Sequence, residues 1–599
     1  MASVSFFGAV LFDSPAVTNV RVAADGSISL VPPYGLTLPL TETYAGGTPP
    51  TVPAGSNAIL IDTIIGSVIT LPANYATVFD AAQGATTIIA MPGNNPLLVV
   101  ENAPSVDIGP LTFIENGGTG TVDSGPSFPS FTTPIGVFEL NGGDYNAFSA
   151  GVSTIFAAGG TGRLSQDGGI IALGAGSYTV GAIRDTVSGG AGSYDITASD
   201  AQVFLGSGAS TVTEEGSGTV YGGSGHSTIA EQESGTVANG SASLLVNLEG
   251  FSGGSFYHPA IEGDTVFGGT GSVTVGGTDV QTQWNAILPS VLPTLKYPPS
   301  GINVAADLLI GGSAGHNVIT ARSFGATIIG GGDGDVLQAW RDPQGNDTIV
   351  AGGGAETLYG NGAGMAAPRY NFKGPEDYTL FLGTPPEAGN LLVGGVGTDL
   401  IVGGTRHDTI IAGSGDTTIA TGDGGSVVQL GAGGDVVNLS GPDTLYGGPG
   451  DATIGAVGND LVLGGAGAMS FANGAAASTV VGGSGSTTLY AGAGGGVFVG
   501  GSGGGNLLVG GSGLSLMYGG AGAGNVFQFA SGTGGADVIG DFDPARDRVA
   551  LAGFAPGAVD KVLATATAAN GSVSIVLSDA TQVTFYHLAA LTGADFVVV

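Results

Sequence analysis

GGVGTDLIV, GGTRHDTII, AGSGDTTIA, TGDGGSVVQ and LGAGGDVVN run without a break from Gly394 to Asn438, five segments of nine residues each. The eighth position is aliphatic in all five: Ile401, Ile410, Ile419, Val428 and Val437. Glycine fills the first half of each segment, where it turns the chain because it reaches positive φ without steric cost. The second half reads as a short strand whose middle side chain points to one face. Two segments then make one flattened coil with a strand on each side. Coils stack at the usual strand spacing of roughly 4.8 Å, and the apolar column becomes a thin continuous core. One coil cannot bury its own apolar face, so stability comes from stacking.

Working outward, two shortened segments follow, SGPDTLY and GGPGDATI. The period resumes at Gly455 and places Val462, Phe471, Val480, Leu489 and Phe498, then Met517 and Val526, at the eighth position. Upstream, GGGDGDVLQ from Gly330, DPQGNDTIV from Asp342 and AGGGAETLY from Ala351 repeat the pattern. Further back, pairs such as Thr211-Val212, Thr219-Val220, Thr228-Ile229 and Thr236-Val237 recur at steps of eight or nine residues. The reading is an all-β chain. It has a parallel β-solenoid, or β-roll, over 141–530, interrupted by Pro-rich or aromatic insertions at 279–306 and 363–388. Residues 1–140 lack the period and read as a separate β-rich, sandwich-like domain. Residues 531–599 read as a C-terminal cap.

Composition agrees with a stacked coil. The chain has 599 residues, 116 of them Gly, no Cys, 12 Lys+Arg against 47 Asp+Glu, and a formal net charge of −35. So much glycine disfavours helices, each costing roughly 1 kcal/mol relative to Ala in a helix interior. No disulfide or thiolate metal site is available. A nucleic-acid partner needs a basic footprint that this charge balance excludes. No apolar run is long enough to span a membrane, and Met1–Asp13 lacks the basic start of a secretory signal peptide.

The nonapeptides resemble the RTX, or hemolysin-type calcium-binding, repeat GGxGxDxUx. GGVGTDLIV at 394–402 matches every position, and DPQGNDTIV and GAVGNDLVL keep the G-N-D-x-U half. The block NVFQFASGTGGADVIGDFDPARDRVALAGF at 525–554 is similar to the one that closes RTX arrays, and the ending Asp595-Phe-Val-Val-Val599 to the terminal signal of type I secretion substrates. The resemblance implies a Gram-negative source, export by type I secretion machinery without a cleaved leader, and an extracellular or cell-surface destination. It implies that position-six carboxylates bind Ca2+, which takes oxygen ligands. The matching positions are Asp335, Asp347, Asp399, Asp408, Asp435 and Asp460, with Glu356 as a variant. The chain also departs from the family pattern. Same-side segments are two repeats apart, so Asp399 faces Thr417 and Asp408 faces Ser426. Beyond Asp460 the sixth positions read Met469, Ser478, Thr487, Gly496, Gly505, Ser515 and Gly524, a stretch expected to hold no metal. Against the calcium reading stands simple turn capping by Asp.

No catalytic constellation emerges. The five His never form H-E-x-x-H. The G-x-S-x-G match at Gly311–Gly315 falls in a β-roll turn, whereas a nucleophile elbow needs a strand-to-helix turn. Asp541 and Asp543 belong to the cap. The expectation is therefore a non-enzymatic, calcium-binding structural protein that self-assembles as a surface-layer or matrix subunit, with a cell-surface polysaccharide as a further partner. The alternatives are a calcium-dependent adhesin or ice- or glycan-binding rod built on the repeated Thr at position seven, and a secreted hydrolase or lyase with a hidden site near His258 or His316.

Overall fold

The computed structural model describes residues 153–231, 235–248, 264–277, 306–321, 325–339, 346–360, 389–404 and 407–599. Before residue 153 it describes Thr51 and a series of strands starting at Ala2–Val4. Apart from residue 306, the expected insertions at 279–306 and 363–388 lie outside the described residues, as does His258. The chain is nearly all β and forms a parallel β-solenoid of about 18 turns. It divides into two compact units, Met1–Asn303 and Val304–Val599.

In the second unit the nine-residue period sets the ladder. Asp399–Val402 pairs in parallel with Thr417–Ala420, which pairs with Asp435–Leu439. On the opposite side Leu391–Val393, Thr409–Ile411 and Val427–Gln429 pair in the same way. Each coil is thus two repeats. Ile401, Ile410, Ile419, Val428 and Val437 are fully buried, and the residue before each points outward. Full burial of such a side chain contributes roughly 1.5–3 kcal/mol, and every coil adds two. Glycine is required where turns nearly touch. A Cβ on Gly413 would overlap the carbonyl oxygen of Gly395 in the coil below.

Two repeats near the end carry one extra glycine, which changes the expected phase. Gly505 and Gly524 adopt φ of 75° and 80°, conformations suited to glycine. They are absorbed into the turn. Asn506 and Asn525 therefore take the sixth position, and Phe527, not Val526, is the buried apolar residue.

The solenoid ends under a cap. After Arg548–Ala552 come a helix, Ala558–Ala564, and an antiparallel hairpin of Ser572–Val576 with Gln582–Tyr586. Gln582–Tyr586 and Phe596–Val598 then pair in parallel with Ala536–Ile539 and Arg548–Ala552. Phe542 bridges Phe527 and Phe585 at ring-centroid distances of 6.0 and 5.2 Å. The last coil is covered, so its strand edges do not template further pairing.

In the first unit the pairing differs from the sandwich-like expectation for residues 1–140. Ala2–Val4, Asn19–Val22 and Ile28–Val31 are antiparallel. From Thr41–Thr43 onward the described strands pair in parallel, as in a solenoid: Ala58–Asp62 with Tyr75–Asp80, Val68–Leu71 with Thr86–Ala90, and Thr86–Ala90 with Leu111–Glu115. No boundary at residue 140 is visible in this pairing, because Gly136–Ser149 pairs with strands on both sides of it. The physical reason is that stacking needs strands of matching length and an inward apolar residue, whereas the turns between them can vary. Thr179, Asp195 and Thr211 occupy successive coils 16 residues apart, Thr228 and Leu245 follow at 17, and Thr274 at 29.

Candidate functional site

Strand alternation points position six inward beside position eight. The seven acids singled out from the sequence are all buried, at 1–3% exposure. The ladder sorts them into two columns. Asp335, Glu356, Asp399 and Asp435 lie on one side, with Asn317 before them and Thr417 between the last two. Asp347, Asp408 and Asp460 lie on the other, with Asn390, Ser426 and Asp443 between them. Thr417 does neighbour Asp399, and Ser426 neighbours Asp408.

The hydrogen bonds follow one rule. One carboxylate oxygen accepts the N–H of the position-six residue in the preceding coil. Asn317 donates to Asp335 Oδ1 (2.8 Å), Glu356 to Asp399 (3.1 Å), Thr417 to Asp435 (3.1 Å), Ala326 to Asp347 (2.8 Å), Asn390 to Asp408 (2.7 Å) and Asp443 to Asp460 (2.9 Å). The second oxygen accepts a turn amide of its own repeat, four residues back. Gly331 donates to Asp335 (2.7 Å), Gly395 to Asp399 (2.6 Å), Gly404 to Asp408 (2.6 Å) and Gly431 to Asp435 (3.2 Å). Glu356 is one methylene longer and receives the Gly352 amide on Oε1 (2.6 Å). These amides would otherwise be buried without partners, at roughly 1–3 kcal/mol each. Asp335, Asp399, Asp408 and Asp435 therefore cap their own turns and stitch them to the coil below, Glu356 caps its own turn, and Asp347 and Asp460 make the stitch to the coil below.

Two residues in this role, and a third stacked on one of them, were not legible as such. Asp443 sits in a shortened repeat, yet its oxygens accept the Ser426 N–H (2.8 Å) and the Thr421 hydroxyl (2.7 Å). Asn506 and Asn525 lie further along the column of Asp399 and Asp435, after Ala452, Met469 and Thr487. Asn506 accepts the Thr487 N–H (3.0 Å), and Asp547 accepts the Asn525 N–H (3.1 Å). The signal was a buried Asx before the strand once the extra glycine is counted into the turn.

Charge accumulates where acids are direct neighbours. Asp335, Glu356 and Asp399 are consecutive rungs. Burial pushes Glu356 up to about 7, with the charges of Asp335 and Asp399 adding and the Gly352 amide opposing. Asp460 is raised to about 6 by burial, with Asp443 adding to the shift. Burial also raises Asp399, Asp408 and Asp435, against the amides that cap them.

The donor set decides how well Ca2+ fits. Oxygen-only ligation is available in both columns. Buried carboxylate oxygens without a donor remain on Glu356 (Oε2) and Asp460 (Oδ2), both beside a neighbouring acid. There a cation would meet an unsatisfied oxygen. At Asp335, Asp399, Asp408 and Asp435 both oxygens already accept amides. Among the described residues no three acid, His or Cys side chains converge on one point, so each cation would rely on one or two carboxylates and on turn carbonyls.

The remaining sequence candidates sit in turns. Ser313 of the G-x-S-x-G match lies in a turn that leads to the strand Val318–Thr320. Asp541 caps the Gly519 and Gly520 amides (2.6 and 3.1 Å), and Asp543 pairs with Arg546 (2.7 Å). Neither a family model nor a curated protein matches this sequence.

Proposed function

We propose that the chain is an extracellular, calcium-responsive structural protein of the RTX type that self-assembles as a surface-layer or matrix subunit. The observation that carries this reading is the Asp335–Glu356–Asp399 stack, three consecutive buried acids with an oxygen of Glu356 left without a donor. Bound calcium would supply the positive charge that this stack lacks. Glu356 would hold it with help from Asp335 or Asp399, and Asp460 with Asp443 would form a second site. The position-six amide caps keep these oxygens aimed inward. The net charge of −35 opposes compaction where cations are scarce. A cation bound only by the folded state stabilises it, which suits a chain exported unfolded by type I machinery.

Self-association draws support from the outward position seven. One face of the second unit presents Leu400, Thr418, Val436 and Thr453 on successive coils, and the other Thr409, Val427, Thr444, Leu461 and Thr479. Leu400, Val427, Val436 and Leu461 are 37–45% exposed. Regular, weakly polar faces of this kind suit lateral packing against further copies or a polysaccharide. The exposed Thr favour the second reading, an adhesin or ice- or glycan-binding rod, but aliphatic rungs interrupt the hydroxyl rows.

The test is the purified full chain with calcium and with EDTA. Calcium is expected to raise the Tm, and negative-stain imaging is expected to show ordered sheets. An unchanged Tm and circular dichroism in EDTA would overturn the calcium reading. Dispersed particles in calcium would overturn the lattice.

A further inference from the structure

The first unit contains a pair of acids that no calcium-repeat logic accounts for. Glu214 ends the strand Ser210–Glu214 and Glu231 ends Ser227–Glu231, one coil later and in direct register. Both have no solvent exposure. Neither carboxylate oxygen of Glu214 has a donor in hydrogen-bond geometry. Ala198 lies on the coil before Glu214 and Leu248 on the coil after Glu231, so the stack holds two acids between apolar ends. The room for them is made by glycine. A Cβ on Gly218 would overlap Glu214 Oε1, and a Cβ on Gly235 would overlap the Glu231 carboxylate. The same spacing, an acid followed four residues later by Gly-Thr-Val, occurs in both coils. An accidental buried charge would not come with a matching niche twice.

We propose that Glu214 and Glu231 form a proton-binding carboxyl pair that closes this part of the solenoid when at least one proton is held and loosens it when both acids ionise. Two carboxylates in adjacent rungs, roughly one strand spacing apart, cannot both be charged at low cost when neither has solvent exposure. Calcium is poorly served there, because it takes six to eight oxygens and the nearby carbonyls are engaged: Ala201 O accepts the Thr219 amide and Gly218 O the Thr236 amide. A proton needs no such shell. Among the described residues, the charged groups around Glu214 are Glu231 in the next coil, Asp200 in the turn of the coil before, and its exposed neighbour Glu215. His226 lies in the turn before the Glu231 strand. Burial is the largest influence and raises Glu214 to about 7. Asp200 adds to the rise, and the amides of Ala201, Asp200 and Gly218 oppose it.

The sign follows from linkage. The folded pKa lies above the unfolded value, so the folded state keeps its proton while the unfolded chain releases one. Stability is present at low pH and is lost as pH rises from the ordinary glutamate value to about 7. The experiment is hydrogen exchange on the full chain at pH 6 and pH 8, corrected for intrinsic rates. Amides of 210–238 are expected to lose at least tenfold more protection than those of 407–470. Equal changes in the two regions overturn the proposal. Glu214→Gln, an uncharged near-isostere, is expected to remove most of that pH-dependent loss in 210–238, and an unaltered loss also overturns it. If the variant does not fold, the wild-type exchange comparison still decides. Failure of calcium to alter stability would leave this result untouched, since the pair lies outside the calcium columns.

Discussion

The two units solve the same problem with different side chains. A solenoid must satisfy the amides of its turns while stacking them too closely for water. In the second unit the answer is polar and periodic: an inward Asp or Asn in most coils, placed by the nine-residue repeat, accepts one amide from its own turn and one from the coil below. In the first unit, over the described residues, inward acids in the same turn position are sparse. Asp185 accepts the Gly169 and Ile183 amides, and Asp264 the Gly235 amide (3.1 Å). Buried tyrosines take over part of the role. Tyr178 donates to Gly159 O (2.5 Å). Tyr194 donates to Gly174 O and accepts the Gly190 and Gly192 amides (3.0 and 3.1 Å). A ring fills volume and its hydroxyl reaches the turn, so the coil tolerates a shorter, less regular repeat. The difference teaches that the coil geometry is common and the capping chemistry is local.

The largest effect should come where both units are alike. Gly413→Ala places a Cβ against Gly395 O, and Gly208→Ala places one against Gly192 O. Backbone is the obstacle in each case, so each variant is expected to lose more than about 4 kcal/mol, read as loss of the cooperative thermal transition. A mild effect in one unit only would break the shared geometry.

The next contrast separates an acid with donors from one without. Asp408 accepts three N–H groups. Asp537 is also buried, yet neither of its oxygens has a donor in hydrogen-bond geometry. Burial raises it to about 7, opposed by the hydroxyl of Ser515 beside it. Asp537 is an acid with a raised folded pKa, so the stability tied to its proton is present at low pH and lost as pH rises to about 7. Asp537→Asn should therefore stabilise the protein at pH 8 by up to about 4 kcal/mol, three pKa units at 1.36 kcal/mol each, and much less at pH 4. Asp408→Asn should destabilise at both pH values, by about 1–2 kcal/mol at pH 4 and less at pH 8, because an amide NH2 replaces one acceptor while the burial that raises Asp408 is partly offset by the amides that cap it. Urea unfolding at the two pH values checks both, and the same sign for the two variants at pH 8 would erase the distinction.

The smallest effect tests the tyrosine substitute. Tyr194→Phe keeps the ring and removes the hydroxyl that serves three turn groups. A loss of about 1–2 kcal/mol is expected, confined in hydrogen exchange to the coils around 174–194. No change would mean that the ring alone holds this unit.

Much of the second unit was legible because its period is strict. The spacing of Ile401, Ile410 and Ile419 implied a parallel ladder with an inward column, and those residues are fully buried. The seven acids were legible as position-six turn residues of a stacked repeat. Their partners in the coil below were not, since that amide lies 17 to 43 residues away in sequence. Asn506, Asn525 and Phe527 were misphased because an extra glycine in positive φ leaves no mark in the alternation. The solenoid pairing upstream of residue 140 was not legible because its strand spacing varies. Glu214 and Glu231 drew no reading from the sequence, because only the register stacks them.

The sequence by itself determined the class of fold. A glycine-rich turn and an apolar residue at fixed spacing are local properties, and they suffice for a coil that can only be stable by stacking. Only the tertiary structure decided what each polar residue does. Whether an acid caps an amide, keeps an oxygen without a donor or shares a proton depends on which residue the ladder sets beside it. That neighbour is fixed by coil length, which insertions and single glycines alter without changing the local pattern.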